Sequence, residues 1–149
     1  MIEAKAVNHI GIAVRSIAAN RQFYERTLGA TFDGIEEVPS QKVRVAFFRI
    51  GPPPNEVRLE LLEATSADSP IASFIEKRGE GLHHVAYTVE GIDTILESLK
   101  HEGIRLIDEE ARDGAHRQRM AFLHPKTSGG VLTELCEPPR APEGSSPTP

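Results

Sequence analysis

Asn8-His9-Ile10-Gly11-Ile12-Ala13-Val14 reads as a strand with one roomy face, and the chain writes it again 75 residues later as His83-His84-Val85-Ala86-Tyr87-Thr88-Val89. Side chains alternate across a strand, so residues two apart share a face. In the first copy His9, Gly11 and Ala13 fall together, opposite Ile10, Ile12 and Val14. In the second, His84, Ala86 and Thr88 oppose Val85, Tyr87 and Val89. The bulky faces are suited to packing beneath helices. The opposite faces each carry a histidine among small residues, which is what the wall of a cavity needs.

Working outward, the repeat continues. Arg44-Val45-Ala46-Phe47-Phe48 meets Arg119-Met120-Ala121-Phe122-Leu123 at the same offset, and Val57-Arg58-Leu59-Glu60-Leu61-Leu62-Glu63 meets Val131-Leu132-Thr133-Glu134-Leu135-Cys136-Glu137 at an offset of 74. Three matches in order, at a nearly constant offset, mark a tandem duplication. Each copy reads strand, helix, then further strands. Ser16 is a good N-cap for a helix over 17–28, with apolar Ile17, Phe23, Tyr24 and Leu28 and a closing Gly29. In the second copy Ile92, Ile95, Leu96 and Leu99 give the same stripe and Gly103 ends it. Strands are expected near 31–36, 43–50 and 56–63, and again near 105–110, 118–123 and 130–136. Residues 66–80 join the copies and hold a short helix from Ser69-Pro70 through Ile71, Phe74 and Ile75. The expected fold is α+β: a single domain, residues 1–137, of two β-α-β-β-β repeats (about 6–65 and 81–137) whose sheets form a cleft. Residues 138–149, rich in proline and without apolar periodicity, read as a flexible tail.

Composition narrows the function. A chain of 149 residues, 39% hydrophobic and 26% charged, is of a size for one ordinary core. Its formal net charge of -5 argues against nucleic acid as a partner, because phosphate backbones need a basic face. Any anionic ligand must be held by local charge or by a metal. The single cysteine, Cys136, excludes an internal disulfide framework and a thiolate-rich zinc site. No apolar run approaches the roughly 20 residues of a membrane span, so no membrane partner is expected. Met1-Ile2-Glu3-Ala4-Lys5 lacks the apolar core of a signal peptide, which leads us to expect a cytoplasmic, prokaryotic protein. There is no glycine-rich dinucleotide or phosphate-binding motif.

Four residues stand at repeat-related positions: His9 and His84 on the first strands, Glu60 and Glu134 on the last. A lone strand histidine is ordinarily structural, and a lone strand glutamate ordinarily faces solvent. Their joint recurrence is what singles these out. Glu60 lies between Leu59 and Leu61, and Glu134 between Thr133 and Leu135. A carboxylate there carries a heavy desolvation cost unless a cation meets it. Two imidazoles and two carboxylates suit a divalent Co, Mn, Ni, Zn or Fe ion, and four ligands leave an octahedral ion two positions for substrate oxygens. Alternation puts His83 on the face opposite His84. His101, His116 and His124 read as solvated helix-surface or loop residues. Arg44 and Arg119 read as outer-face residues in water or in ion pairs. Cys136 shares the face of Glu134 and reads as a small wall residue.

These residues resemble the vicinal oxygen chelate (glyoxalase) superfamily over roughly 6–137. Within it, several stretches resemble methylmalonyl-CoA epimerases: Asn8 to Val14, Leu59-Glu60-Leu61-Leu62-Glu63, Asp68-Ser69-Pro70-Ile71, Gly81-Leu82-His83-His84-Val85-Ala86, Gly114-Ala115-His116, and His124-Pro125-Lys126 with Gly130-Val131-Leu132-Thr133-Glu134-Leu135. The last is the most specific. The resemblance implies interconversion of (2R)- and (2S)-methylmalonyl-CoA by α-proton abstraction and return through a metal-stabilised enolate. It also implies a divalent metal, Co²⁺ foremost, held by His9, Glu60, His84 and Glu134, with Glu134 also handling a proton as the catalytic residue. An acyl-CoA substrate and a homodimer follow from the same resemblance. One departure stands out: a second acid/base glutamate of some family members aligns with Val45, and no carboxylate lies between Glu37 and Glu56. The rival readings are a glyoxalase I-type lactoylglutathione lyase and a non-catalytic small-molecule-binding protein of the same fold. The run from His124 to Gly130 lacks the Pro-Asp-Gly-type turn usual in the former. The latter would lose the four ligand positions.

Overall fold

The computed structural model describes residues 1–140. Its strands form one eight-stranded sheet in the order β2-β3-β4-β1-β5-β8-β7-β6. The first repeat supplies β1 (Ala6–Ala13), β2 (Thr31–Val38), β3 (Val43–Ile50) and β4 (Val57–Ala64). The second supplies β5 (Gly81–Thr88), β6 (Arg112–Asp113), β7 (Arg119–Leu123) and β8 (Thr133–Glu137). β1 runs parallel to β4 and β5 parallel to β8, while β1 and β5 pair antiparallel at the centre. The order is therefore symmetric about the β1–β5 seam, and the mixed sheet curls into a half-barrel.

Three helices pack on it: α1 (Ile17–Gln22), α2 (Pro70–Arg78) and α3 (Ile92–His101). The Ser16 hydroxyl accepts from Ala19 N, as its sequence position implies, but regular α-helix ends at Gln22. A π-helical turn, Phe23–Thr27, carries the chain on, with Leu28 N donating to Phe23 O. The wider turn lets Tyr24 lie against Phe48, ring centroids 5.5 Å apart, while Phe23 stays half exposed. α3 buries Ile92, Leu96 and Leu99 as its stripe implies. In α2, Ser69 Oγ accepts from Ile71 N, and Ile71 and Ile75 are buried.

The strand expected at 105–110 does not form. Leu106 makes one bridge to Leu123, and the paired segment falls later, at Arg112–Asp113. Asp108 explains the difference. Its carboxylate accepts from Phe122 N at 2.9 Å, while Ile107 N and Asp108 N both donate to Phe122 O. A side chain thus satisfies the β7 donor that a strand carbonyl would otherwise meet. The tail expected at 138–149 lies mostly outside the described residues.

Core packing divides by face. Val14, Ile17, Ala46, Phe48 and Leu61 pack under α1, and Val89, Ile92, Leu96, Ala121 and Leu135 under α3. On the concave face Val43, Val45 and Leu62 meet Ile71 and Ile75 of α2. Arg44 pairs with Glu37 and Glu63, and Arg119 with Asp93, on outer faces as expected.

Candidate metal centre

The concave face holds a cleft of about 400 Å³, with His9, Glu60, His84 and Glu134 on its floor. Four adjacent central strands, β4-β1-β5-β8, present them in two cross-strand rungs. One rung is Glu60, Gly11 and His84; the other is His9, Ala86 and Glu134. Each small residue sits between two candidate ligands. An ideal Cβ at Gly11 would fall 2.2 Å from His84 Cε1, so the imidazole uses space that only glycine leaves. Gly11 and Ala86 are themselves repeat-related.

The donor atoms converge. His9 Nε2 lies 2.9 Å from His84 Nε2 and 3.3 Å from Glu60 Oε2, and His84 Nε2 lies 3.0 Å from Glu134 Oε2. His9, His84 and Glu134 place one ligand atom each within 4.8 Å of the others, and all three are buried. Glu60 joins them through His9. No lysine or arginine pairs with either glutamate among the described residues.

Burial depresses His9 to about 4, so its imidazole is neutral near pH 7. Burial, followed by repulsion from Glu134 and Glu36, pushes Glu60 up to about 8. Burial alone would also push Glu134 up, but the His84 hydrogen bond and the nearby imidazoles hold it below the usual carboxylate range. The two carboxylates are thus driven apart, Glu60 upward and Glu134 downward. Two facing imidazole nitrogens beside one buried carboxylate, Glu134, and one partly buried, Glu60, form a donor set that a divalent cation satisfies better than protons do.

The neighbours orient the donors. Asn8 Nδ2 donates to Thr88 Oγ1 at 3.0 Å, which turns Asn8 Oδ1 toward His9 Nδ1 at 2.8 Å. His9 Nδ1 then carries the proton, and Nε2 presents its lone pair to the site. On the other side His83 Nδ1 lies 2.9 Å from His84 Nδ1. Burial, then the neighbouring His84, lowers His83 to about 4, so it is neutral near pH 7 and within hydrogen-bond reach of His84. Cys136 Sγ–H donates to Glu134 Oε1 at 2.8 Å, and burial pushes its thiol well above the ordinary range. Cys136 is therefore a support for the carboxylate, not a nucleophile.

His83 corrects the alternation argument. It lines the cleft beside His84 instead of facing away. Gly11 pairs with His84 but Ile12 with Leu82, so His83 is the extra residue of a β-bulge. Asn8 occupies the matching irregularity between Val7 and His9. The readable signal is in the repeat: each candidate ligand histidine is preceded by a polar residue, Asn8 or His83, at repeat-related positions. Val45 is buried and lines the cleft, so hydrocarbon stands where some relatives are expected to carry a glutamate.

Fold and donor set together define a tandem-repeat protein of the glyoxalase type. Residues 8–122 match the model of the Glyoxalase/Bleomycin resistance protein/Dioxygenase superfamily. The chain is 47% identical over 132 residues to the uncharacterized protein YqjC of Bacillus subtilis, covering 89% of this chain and 91% of that one. It is 39% identical over 130 residues to the mitochondrial methylmalonyl-CoA epimerase of Bos taurus, covering 87% and 72%. A solved variant of the Streptomyces coelicolor methylmalonyl-CoA epimerase, in complex with 2-nitronate-propionyl-CoA, matches with a TM-score of 0.84 at 35% identity, covering 91% and 96%. The chain belongs to this superfamily and, within it, to the family of methylmalonyl-CoA epimerases.

Proposed function

We propose that this protein is a methylmalonyl-CoA epimerase, interconverting the (2R) and (2S) thioesters by removing and returning the α-proton. The observation that carries the reading is the convergence of His9, His84, Glu60 and Glu134 on the floor of a cleft, in a chain this similar to such epimerases. His9, Glu60, His84 and Glu134 would hold a divalent ion, and such an ion supplies Lewis acidity toward the thioester and carboxylate oxygens flanking the α-carbon. The imidazole and carboxylate donors suit Co²⁺, our preferred ion; Mn²⁺, Ni²⁺, Zn²⁺ and Fe²⁺ also fit them.

Glu134 is the proton-handling residue. One of its oxygens is tied to Cys136, and the other faces the point where the imidazoles meet. The neighbouring imidazoles keep it ionised, as a base must be. Val43, Val45 and Leu62 give the cleft an apolar wall beside Glu60, which lowers the polarity around the reacting centre. With valine at position 45, the returning proton comes from another cleft group or a bound water. An acyl-CoA as the small-molecule partner, a homodimeric assembly and a cytoplasmic location complete the proposal, on the strength of the family. No helix among the described residues is long and apolar enough to cross a membrane.

Solvent deuterium incorporation at C2 of methylmalonyl-CoA tests this reading. Exchange coupled to R/S interconversion, abolished by EDTA and restored by Co²⁺, is the expected result. No exchange in metal-replete protein would overturn it.

A further inference from the structure

Inverting a stereocentre needs proton transfer on both faces of the α-carbon, and Glu134 of β8 serves one of them. On the far side of the cleft Val43, Val45 and Leu62 are hydrocarbon. The wall changes character one step further along β3. Phe47 pairs with Glu60 across the β3–β4 ladder, and the His116 imidazole lies over the Phe47 ring, centroids 3.9 Å apart and planes inclined by 30°. Across the sheet, in the order β8-β5-β1-β4-β3, Glu134 therefore stands at one flank of the donor cluster and His116 at the other. Asn8, Phe47, Glu60, His116 and Gln118 line a chamber of about 290 Å³ that adjoins the cleft, with Glu60 and Gln118 in the walls of both.

The strap that carries His116 is built against ordinary backbone preference. His116 and Arg117 follow one another with φ of 54° and 58°, a region that residues other than glycine seldom enter. Contacts from the first repeat hold the strap there. His116 N donates to Glu36 Oε2 at 3.1 Å, and Gln41 Nε2 donates to Asp113 O at 3.3 Å. The same Glu36 oxygen lies 3.8 Å from His116 Nε2, so a carboxylate stands ready to pair with a charged imidazole. Glu36 is the cross-strand partner of Val45, so the carboxylate that β3 lacks is present one strand out, turned to the strap's histidine. The chamber's other charged side chains are engaged with one another or with a neighbour: Arg49 pairs with Asp33, and Arg58 with Glu56. The His116 side chain is half exposed, so it also exchanges protons with solvent.

We propose that His116 is the second proton-transfer residue, serving the face of the α-carbon opposite Glu134 through one water at the Glu60–Gln118 wall; the assignment rests on the epimerase reading. In one direction Glu134 takes the α-proton, and the electron pair of the broken C–H bond passes into the thioester enolate. The water gives a proton to the opposite face, forming the new C–H bond, and takes the N–H proton of a protonated His116 in its place. Glu134 is left protonated and His116 neutral, and exchange with solvent restores both. In the other direction the two residues trade roles. Histidine suits this double duty because its ordinary titration range spans neutrality.

The test is His116→Asn in the full chain, since asparagine tolerates left-handed backbone. Each enantiomer of methylmalonyl-CoA is incubated separately in D₂O with Co²⁺-loaded protein, and loss of its α-proton and its inversion are followed by NMR. Wild-type protein should wash out the proton of both. In the variant, washout from the one enantiomer whose proton faces His116 should fall by about 10²–10⁴-fold, the usual contribution of a positioned acid or base. Washout from the other, served by Glu134 alone, should be little changed and proceed with retention. Inversion should fall in both directions, and bound metal should stay at the wild-type level. His116→Gly, which adopts the same backbone freely, should show the same split. Equal loss for the two enantiomers would make His116 a structural part of the strap and overturn the assignment, as would no loss for either. Wild-type protein that washes out neither proton would remove the epimerase reading and this assignment with it, whereas wild-type exchange of both with no split in the variants would remove the assignment alone.

Discussion

Gly11 and His84 face each other across the central β1–β5 pairing, and the imidazole fills the volume that a Gly11 side chain would need. The requirement is one of space, since Gly11 has ordinary strand backbone. Gly11→Ala forces His84 out of position. Misplacement on the ångström scale costs about 100-fold in activity, so we expect a loss of that order together with reduced metal content. Metal analysis by mass spectrometry and the C2 exchange rate check it; a variant with full metal and full exchange would refute the packing argument.

The Asn8–His9 contact should matter for a different reason. Asn8 fixes which nitrogen of His9 carries the proton, through a hydrogen bond that is itself set by Thr88. Removing such an orienting partner typically costs about 10–100-fold in metal affinity. Asn8→Ala should show that loss in a competitive chelator titration while its circular dichroism stays that of the parent. Equal affinities would mean that Asn8 serves the strand irregularity alone.

Much of this was legible in the sequence because duplication does the work of an alignment. His9 with His84, and Glu60 with Glu134, single one another out through the repeat, and the flanking Gly11 and Ala86 mark the cavity wall. Two features were not legible, for physical reasons. Strand alternation assumes an unbroken ladder, and the bulge at His83 breaks it, which brings both histidines of the pair to the cleft. The paired segment near 105–110 failed because the Asp108 side chain replaced a backbone partner, a substitution that no periodicity records.

Metal holding and proton handling can be separated between His84 and Glu134. His84→Ala removes a donor at the centre of the cluster and leaves a cavity wall, so metal should be lost while the fold persists. Glu134→Gln keeps the shape and an oxygen donor but removes the base. Its exchange rate should fall by about 10²–10⁴, the usual contribution of a positioned general base, with a smaller loss of bound metal. Metal stoichiometry and exchange rate measured on the same preparations decide the matter. Parallel losses in both variants would assign Glu134 to ligation alone.

Glu60 offers a test that needs no substrate. Its folded carboxyl is raised to about 8 by burial and by Glu134, whereas in the unfolded chain it titrates near 4.5. A raised carboxyl binds its proton more tightly in the folded state. In EDTA the wild-type protein should therefore lose stability as pH climbs from about 5 to 8, and lose no more from this group above that. Glu60→Gln resembles the protonated acid and has no charge to bury. Thermal melts of both proteins in EDTA should nearly coincide at pH 5 and separate toward pH 8.5, with the glutamine variant the more stable. Adding Co²⁺ should reverse the order at pH 8.5, because a cation binds the glutamate more strongly than the amide and stabilises whichever folded state it binds. Melting curves that stay parallel across the whole range would mean that Glu60 titrates like an exposed carboxylate and is not held against Glu134.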